Sequence, residues 1–172
     1  MNRSSDDAPL SAPDPIEWAR AFQEQFSLAA SSLSASSLEA FVGFYDEEAT
    51  FVDPFAELCG RVQISASYLS MLTNLHQAHF TCKDWAMAPR GQTGPVRMVI
   101  TWDFHFQVRP TSPNVCIPGA SWLELDPNSR LITLHRDYWD ASELLAAFPG
   151  LGWLIRGVKK RITAASHVME KS

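Results

Sequence analysis

The sequence predicts an α+β domain in which N-terminal helices pack on one side of a curved antiparallel sheet shaped as a cone. Three observations carry that prediction. Apolar residues recur at helical spacing through residues 16–77, with one short strand between. From His79 to Asp140 they alternate at strand spacing, and the strands follow one another without intervening helices. Helices first and then a run of strands is the order expected of helices laid on one face of a sheet. The inside of such a cone is either filled by side chains or left as a ligand pocket.

At 172 residues the chain fits one domain with a sizeable core. A hydrophobic content of 46% with 19% charged residues is that of an ordinary globular protein. The formal net charge of −5 argues against general nucleic-acid binding, which needs a basic footprint. Cys59, Cys82 and Cys116 are odd in number and lack CxxC spacing, so reduced thiols are expected rather than a disulfide framework or a zinc motif. The opening MNRSSDDAPLSAPDP has no signal-peptide core, and no run approaches the ~20 apolar residues of a membrane span. A cytoplasmic protein is expected.

Residues 1–15 are polar and proline-rich and read as a disordered tail. Asp14-Pro15 can cap a first helix, whose stripe is Trp18, Phe22, Phe26 and Ala29. Serines from Ser31 to Ser37 end it. A second helix is expected over Leu38 to Tyr45, then a short strand ATFVD stopped by Pro54. Gly60 opens a third helix with Ile64, Tyr68, Leu72 and Leu75 on one face. Strands follow at His79 to Ala88, Val96 to Arg109 and Val115 to Leu125, with Asp126-Pro127-Asn128-Ser129 as a turn. Beyond the main domain (16–148), residues 149–172 read as an amphipathic basic helix. It either packs by its apolar face or lies on an anionic membrane surface.

The last strand, Leu131 to Asp140 (LITLHRDYWD), is the richest in chemistry. Alternation puts Thr133, His135, Asp137 and Trp139 on one face and Ile132, Leu134, Arg136 and Tyr138 on the other. A carboxylate and an imidazole two residues apart, beside a Trp, suit a pocket wall. Asp140 then opens D-A-S-E, an N-cap Asp with a Glu three residues on, and LLAAF starts a helix. In the strand VITWDFHFQV, Thr101, Asp103, His105 and Gln107 share a face opposite Trp102, Phe104, Phe106 and Val108. A polar face of this kind suits a half-exposed strand, and a pocket wall is the alternative. Asp53 before Pro54 is either a turn-forming strand terminator or a pocket acid. Asp137 is either a pocket acid or a structural partner of Arg136 or His105.

Three patterns resemble the nuclear transport factor 2-like (NTF2-like, SnoaL-like) superfamily, a cystatin-like α+β cone: YDEEATFVDPF at Tyr45–Phe55, GRVQISASYLSML from Gly60, and RLITLHRDYWD from Arg130. The resemblance implies a homodimer and spans residues 16–148, but it leaves function open because this fold hosts many activities. Similarity to ketosteroid isomerases implies a general base at Asp53, in FVDPF, and tyrosines at Tyr45 and Tyr68. The first-helix tyrosine of those enzymes is missing, and their protonated Asp falls near Ser121, so steroid isomerisation is disfavoured. Similarity to limonene-epoxide hydrolases implies two acids, Asp137 in RDY and Asp103 on the preceding long strand. Thr101 stands where those enzymes have an Arg, and Phe51 and Asp53 where they have Tyr and Asn.

The expectation is a pocket lined by Trp18, Phe22, Phe51, Tyr68, Trp102, Phe104, His105 and Trp139, with Asp53, Asp103, Asp137 and His135 as acid-base groups. It would take a small apolar ligand, polycyclic or terpenoid-like, for isomerisation or hydration without a cofactor. No metal is expected, because nothing in the spacing makes His79, His105 and His135 converge. The alternative is a non-catalytic scaffold that dimerises through the outer sheet face and docks a partner or membrane through residues 149–172.

Overall fold

The computed structural model describes residues 15–88 and 94–148, together with Trp153, Ile155 and Gly157, which are helical. The expected tail therefore lies outside the described residues, as does most of the basic helix. Elements run α1 (Pro15–Ser31), α2 (Leu38–Val42), β1 (Tyr45–Val52), β2 (Glu57–Cys59), α3 (Arg61–Asn74), β3 (His76–Met87), β4 (Val96–Gln107), β5 (Val115–Leu125), β6 (Ile132–Trp139) and α4 (Ala141–Ala147). The six strands form one curved sheet in the order β2-β1-β6-β5-β4-β3. The three helices expected ahead of the run of strands are all present as α1, α2 and α3, and each packs into the core against the sheet.

Packing follows the apolar stripes. Trp18, Ala19, Phe22, Phe26 and Ala30 of α1 are buried, and so are Ile64 and Tyr68 of α3. They meet the inner-face rows of the sheet, such as Val96, Met98 and Ile100 of β4 and Leu123 and Leu125 of β5. Each large apolar side chain so buried contributes about 1.5–3 kcal/mol relative to exposure. Phe26 lies at the centre, with Phe22, Phe41, Phe44, Tyr45 and His135 rings all within 6.5 Å between centroids.

Three local differences from the sequence reading matter for the site. Tyr45 begins β1 and does not close α2, since α2 stops at Gly43 and Phe44 and the chain turns into the sheet. The sheet is not wholly antiparallel: β1 runs parallel to β6, with Phe51 opposite His135 and Val52 opposite Arg136. Finally, the register of β6 on β5 shifts between Glu124 and Leu125, so Ile132 is fully buried while Thr133 is not. A bulge of this kind moves one residue to the other face. Ile132, and not Thr133, joins His135 on the inner side.

Local chemistry sets the ends of these elements. Gly60 adopts φ 85° between β2 and α3, and its N–H donates to the Ala49 carbonyl at 2.8 Å. Asp126 Oδ1 accepts from the Asn128 and Ser129 N–H groups at 2.8 and 2.7 Å, closing the β5–β6 turn as expected. At α4 the Asp140 carboxylate accepts from the Ser142 N–H at 2.9 Å, an N-cap bond.

Candidate functional site

The elements converge on a cavity of about 370 Å³ between the sheet's concave face, α3 and α4. β1 contributes Phe51 and leads into Asp53, α3 contributes Tyr68 and Met71, β3 contributes Phe80, and β4 contributes Trp102 and Phe104. Asp137 and Trp139 come from β6, while Leu144 of α4, Phe148 and Phe55 complete the wall. The lining is apolar and aromatic, with few polar groups. That is the composition of a small-molecule pocket.

Behind this wall a hydrogen-bonded chain runs through the core and returns to the cavity. Tyr68 Oη is 3.3 Å from Tyr45 Oη, which is 2.8 Å from His135 Nδ1. His135 Nε2 is 2.8 Å from Asp137 Oδ1 and 3.0 Å from Ser121 Oγ. Ser121 Oγ donates to Asp137 Oδ1 at 2.5 Å and accepts from Trp102 Nε1–H at 2.8 Å. With an ionised carboxylate and a neutral imidazole, Nε2 donates to Asp137 and Nδ1 accepts from the Tyr45 hydroxyl. Tyr68 and Asp137 both face the cavity, so the chain begins and ends there.

The sequence places these groups for identifiable reasons. Alternation along β6 puts His135, Asp137 and Trp139 inward, and the parallel β1–β6 pairing brings Tyr45 and Phe51 beside them. The Arg61 side chain holds the Tyr45 carbonyl through Nε at 3.0 Å and Nη2 at 2.5 Å. That satisfies a carbonyl where the β1–β6 register shifts. Gly119 faces Trp102 on one side and Trp139 on the other. A Cβ there would lie 2.2–2.5 Å from the Trp102 ring, so only glycine lets the indole cross the strand and reach Ser121.

Electrostatics follow burial. Burial pushes the Tyr68 phenol far above its ordinary range, and the charge on Asp137 and then that on Asp53 add to it, while the Tyr45 hydrogen bond works the other way. Burial does the same to Tyr45, with Tyr68 and Asp137 adding to it. Both phenols are neutral donors at neutral pH. The Asp53 Oδ1 accepts from the Phe55 and Ala56 N–H groups at 2.8 Å each. Asp53 is therefore both the turn-forming terminator and a cavity residue.

Of the expected site residues, Asp53, Asp137, Phe51, Tyr68, Trp102, Phe104 and Trp139 line one cavity, and His135 sits behind Asp137. Four lie elsewhere. Asp103 and His105 are on the outer face of β4, as its alternation requires once Trp102 and Phe104 point inward. Asp103 there pairs with Lys83 Nζ at 2.5 Å. Trp18 and Phe22 line a separate groove with Phe44, Arg130 and Leu131, where the Arg130 guanidinium stacks 5.7 Å from the Trp18 ring. The two-acid arrangement of an epoxide hydrolase is thus not assembled, because its second acid is across the sheet. The sequence points to Ser121 only as the position where the isomerases' protonated Asp falls, and its bridging of Trp102, His135 and Asp137 carries no signal of its own. Among the described residues no helix is long and apolar enough to cross a membrane.

No protein-family model matches the chain, and no curated protein matches it in sequence. Solved structures do match in fold. A hypothetical protein with a ketosteroid isomerase-like fold from Catenulispora acidiphila, solved with trimethylamine, is 20% identical with a TM-score of 0.59, covering 73% of this chain and 90% of its own. A protein proposed to be a SnoaL-like polyketide cyclase from Shewanella putrefaciens is 18% identical with a TM-score of 0.58, covering 76% and 95%. A proposed isomerase from Bacillus subtilis is 17% identical with a TM-score of 0.62, covering 80% and 96%. The chain has the nuclear transport factor 2-like fold.

Proposed function

We propose that this protein is a cofactor-independent isomerase or cyclase that moves a proton on a small apolar, carbonyl-bearing ligand held in the cone. One observation carries the reading. A carboxylate with one oxygen fixed and one free shares an apolar cavity with a phenol that burial keeps neutral. Ser121 and His135 hold Asp137 Oδ1, which leaves Oδ2 without a hydrogen-bond partner among the described residues. Oδ2 takes a proton from the carbon next to the carbonyl, and the Tyr68 hydroxyl donates to the oxygen that gains charge. The 3.3 Å contact between the two tyrosines is the loosest in the chain, so Tyr68 can turn to the ligand while Tyr45 stays on His135. The enolate then regains the proton from Asp137 at another carbon, which is isomerisation, or its carbon attacks a second carbonyl and the resulting alkoxide takes that proton, which closes a ring. Asp53 is the second acid-base group at the same cavity.

Two further points support this over a non-catalytic scaffold. The cone holds an open cavity and is not plugged by its own aromatic rings, and two of the three expected acids line it. The fold is also that of proteins proposed to be a cyclase and an isomerase. The test is deuterium incorporation from D₂O into a panel of apolar cyclic enones and 1,3-dicarbonyl compounds, followed by mass spectrometry. The native protein should speed exchange, and Asp137→Asn should slow it by about 10²–10⁴-fold. Compounds retained by the protein without any exchange above buffer would make this a binding module. Exchange unaffected in both Asp137→Asn and Asp53→Asn would sink the mechanism.

A further inference from the structure

On the sheet face away from the cavity, three donor side chains from two neighbouring strands meet. β4 and β5 pair with His105 opposite Cys116, and Asp103 lies two residues before His105 on the same face. A carboxylate oxygen, a ring nitrogen and the thiol sulfur of these residues all lie within 4.8 Å of one another. We propose that Asp103, His105 and Cys116 bind a divalent cation of the zinc type, with a fourth position open to solvent.

The donor chemistry favours that metal. Thiolate, imidazole and carboxylate are the three zinc-ligand types, and three protein ligands plus water is a recurrent zinc arrangement. Bond lengths of about 2.0–2.3 Å place tetrahedral donors about 3.3–3.8 Å apart, so these side chains need only close by about 1 Å. The strands beneath are rigidly paired, with Cys116 exposed and His105 and Asp103 half-buried. Asp103 already holds a cation: Lys83 Nζ sits 2.5 Å from Oδ2, on a half-exposed side chain free to withdraw when a metal arrives.

His79 supports the site as a positioning residue. It lies opposite His105 on β3, and the two rings stack at 4.9 Å with 14° between planes. Its Nδ1 is 2.8 Å from the Gln77 carbonyl, which anchors the ring that in turn orients His105. The sequence hides this arrangement because Asp103 and His105 stand two apart on β4 while the third donor, Cys116, comes from β5. It is independent of the acid-base chemistry proposed for the cavity.

The test uses the full-length protein, reduced, titrated with cobalt(II) and then zinc(II). Expected is a near-ultraviolet thiolate-to-cobalt charge-transfer band that saturates stoichiometrically and disappears as zinc displaces cobalt. Cys116→Ser should abolish the band while Cys59→Ser keeps it. His105→Ala should weaken binding by at least about 100-fold, beyond the 10–100-fold typical of losing an outer-shell partner. If Cys116→Ser fails to fold by circular dichroism, Asp103→Asn decides, with the thiol intact and an expected weakening of at least about 10-fold. No charge-transfer band in the native protein, or a band unchanged in Cys116→Ser or Asp103→Asn, overturns the site.

Discussion

Tyr45 Oη lies 2.8 Å from Nδ1 of His135, a residue 90 positions further along the chain, and both side chains are buried. Their rings stack at 5.8 Å between centroids with 13° between planes. Two polar groups deep in an apolar core are tolerable because they satisfy each other and, through Tyr68, Asp137 and Ser121, their remaining polar atoms. Replacing Tyr45 with Phe keeps the ring and removes the hydroxyl, leaving His135 Nδ1 without its donor. The expected cost is about 1–3 kcal/mol, or a fall in Tm of roughly 2–12 °C for a chain of this size. Thermal unfolding followed by circular dichroism checks it. An unchanged midpoint would mean that water replaces the hydroxyl without loss.

Ser121 reaches the ligand only through Asp137 and Trp102, so its removal should act on orientation and not on the chemistry itself. Ser121→Ala takes one of two donors from Asp137 Oδ1 and the only acceptor that Trp102 Nε1 has among the described residues. Losing a hydrogen bond to a charged group costs about 1.5–3 kcal/mol, so deuterium exchange should slow roughly 10–100-fold. That is a smaller loss than for Asp137→Asn. Equal losses in the two variants would mean that Ser121 itself handles the proton.

Gly119→Ala should disturb the cavity by displacing the Trp102 indole and its hydrogen bond to Ser121. The added methyl would meet the Trp102 ring at 2.2–2.5 Å, and ring and backbone cannot both stay in place. Overpacking of this kind costs about 1–3 kcal/mol. Near-ultraviolet circular dichroism should change, because the indole turns away from Ser121. A native spectrum with native ligand retention would contradict the close crossing of Trp102 over this strand.

Alkaline pH should unfold the protein earlier than its carboxylates and lysines alone would. Burial raises both Tyr45 and Tyr68 well above the ordinary phenol range. In the unfolded chain the same phenols ionise near about pH 10. The folded state therefore holds protons that the unfolded state releases, and the stability it gains is complete below that pH and lost as pH rises above it. Equilibrium urea unfolding at a series of pH values tests the sign: stability should drop above about pH 10, and the Tyr45→Phe, Tyr68→Phe double variant should drop less. A double variant with the native slope would remove the tyrosines from the cause.

How much of this was legible beforehand depends on which signal each residue emits. The helical stripes of α1 and α3 and the alternation of β4, β5 and β6 appear in the sequence with nearly the bounds seen in the structure. Tyr45 is assigned to a helix by pattern because Asp46, Glu47 and Glu48 follow it with no alternation, although they are only a solvent-facing stretch of β1. The β6 bulge leaves no trace, since Ile132 and Thr133 are equally compatible with either face. Asp103 is different. Period-2 alternation already sets it against Trp102 and Phe104, so the three could not all have lined one pocket. What alternation does not tell is which acid faces inward, and that follows from the burial of the apolar row. Trp18 and Phe22 were correctly apolar and buried but at the wrong end of the cone, because a stripe gives a face and no position along it.

The parallel contact between β1 and β6 also bears on how the molecule is made. Every other strand pair joins neighbours in sequence, whereas this one joins a strand ending at Val52 to one beginning at Ile132. Closing so long a loop is paid in chain entropy before any contact rewards it. Loop closure of this length predicts that the cavity, its buried tyrosines and the Asp137 wall form together, late in folding. A ribosome-bound chain lacking β6 has its concave apolar rows open to solvent, a period in which chaperone capture or aggregation competes with folding. Refolding from denaturant should accordingly run on the ms–s scale of non-local topologies, and if this contact forms after the transition state the Tyr45→Phe variant should unfold faster while refolding at nearly the native rate.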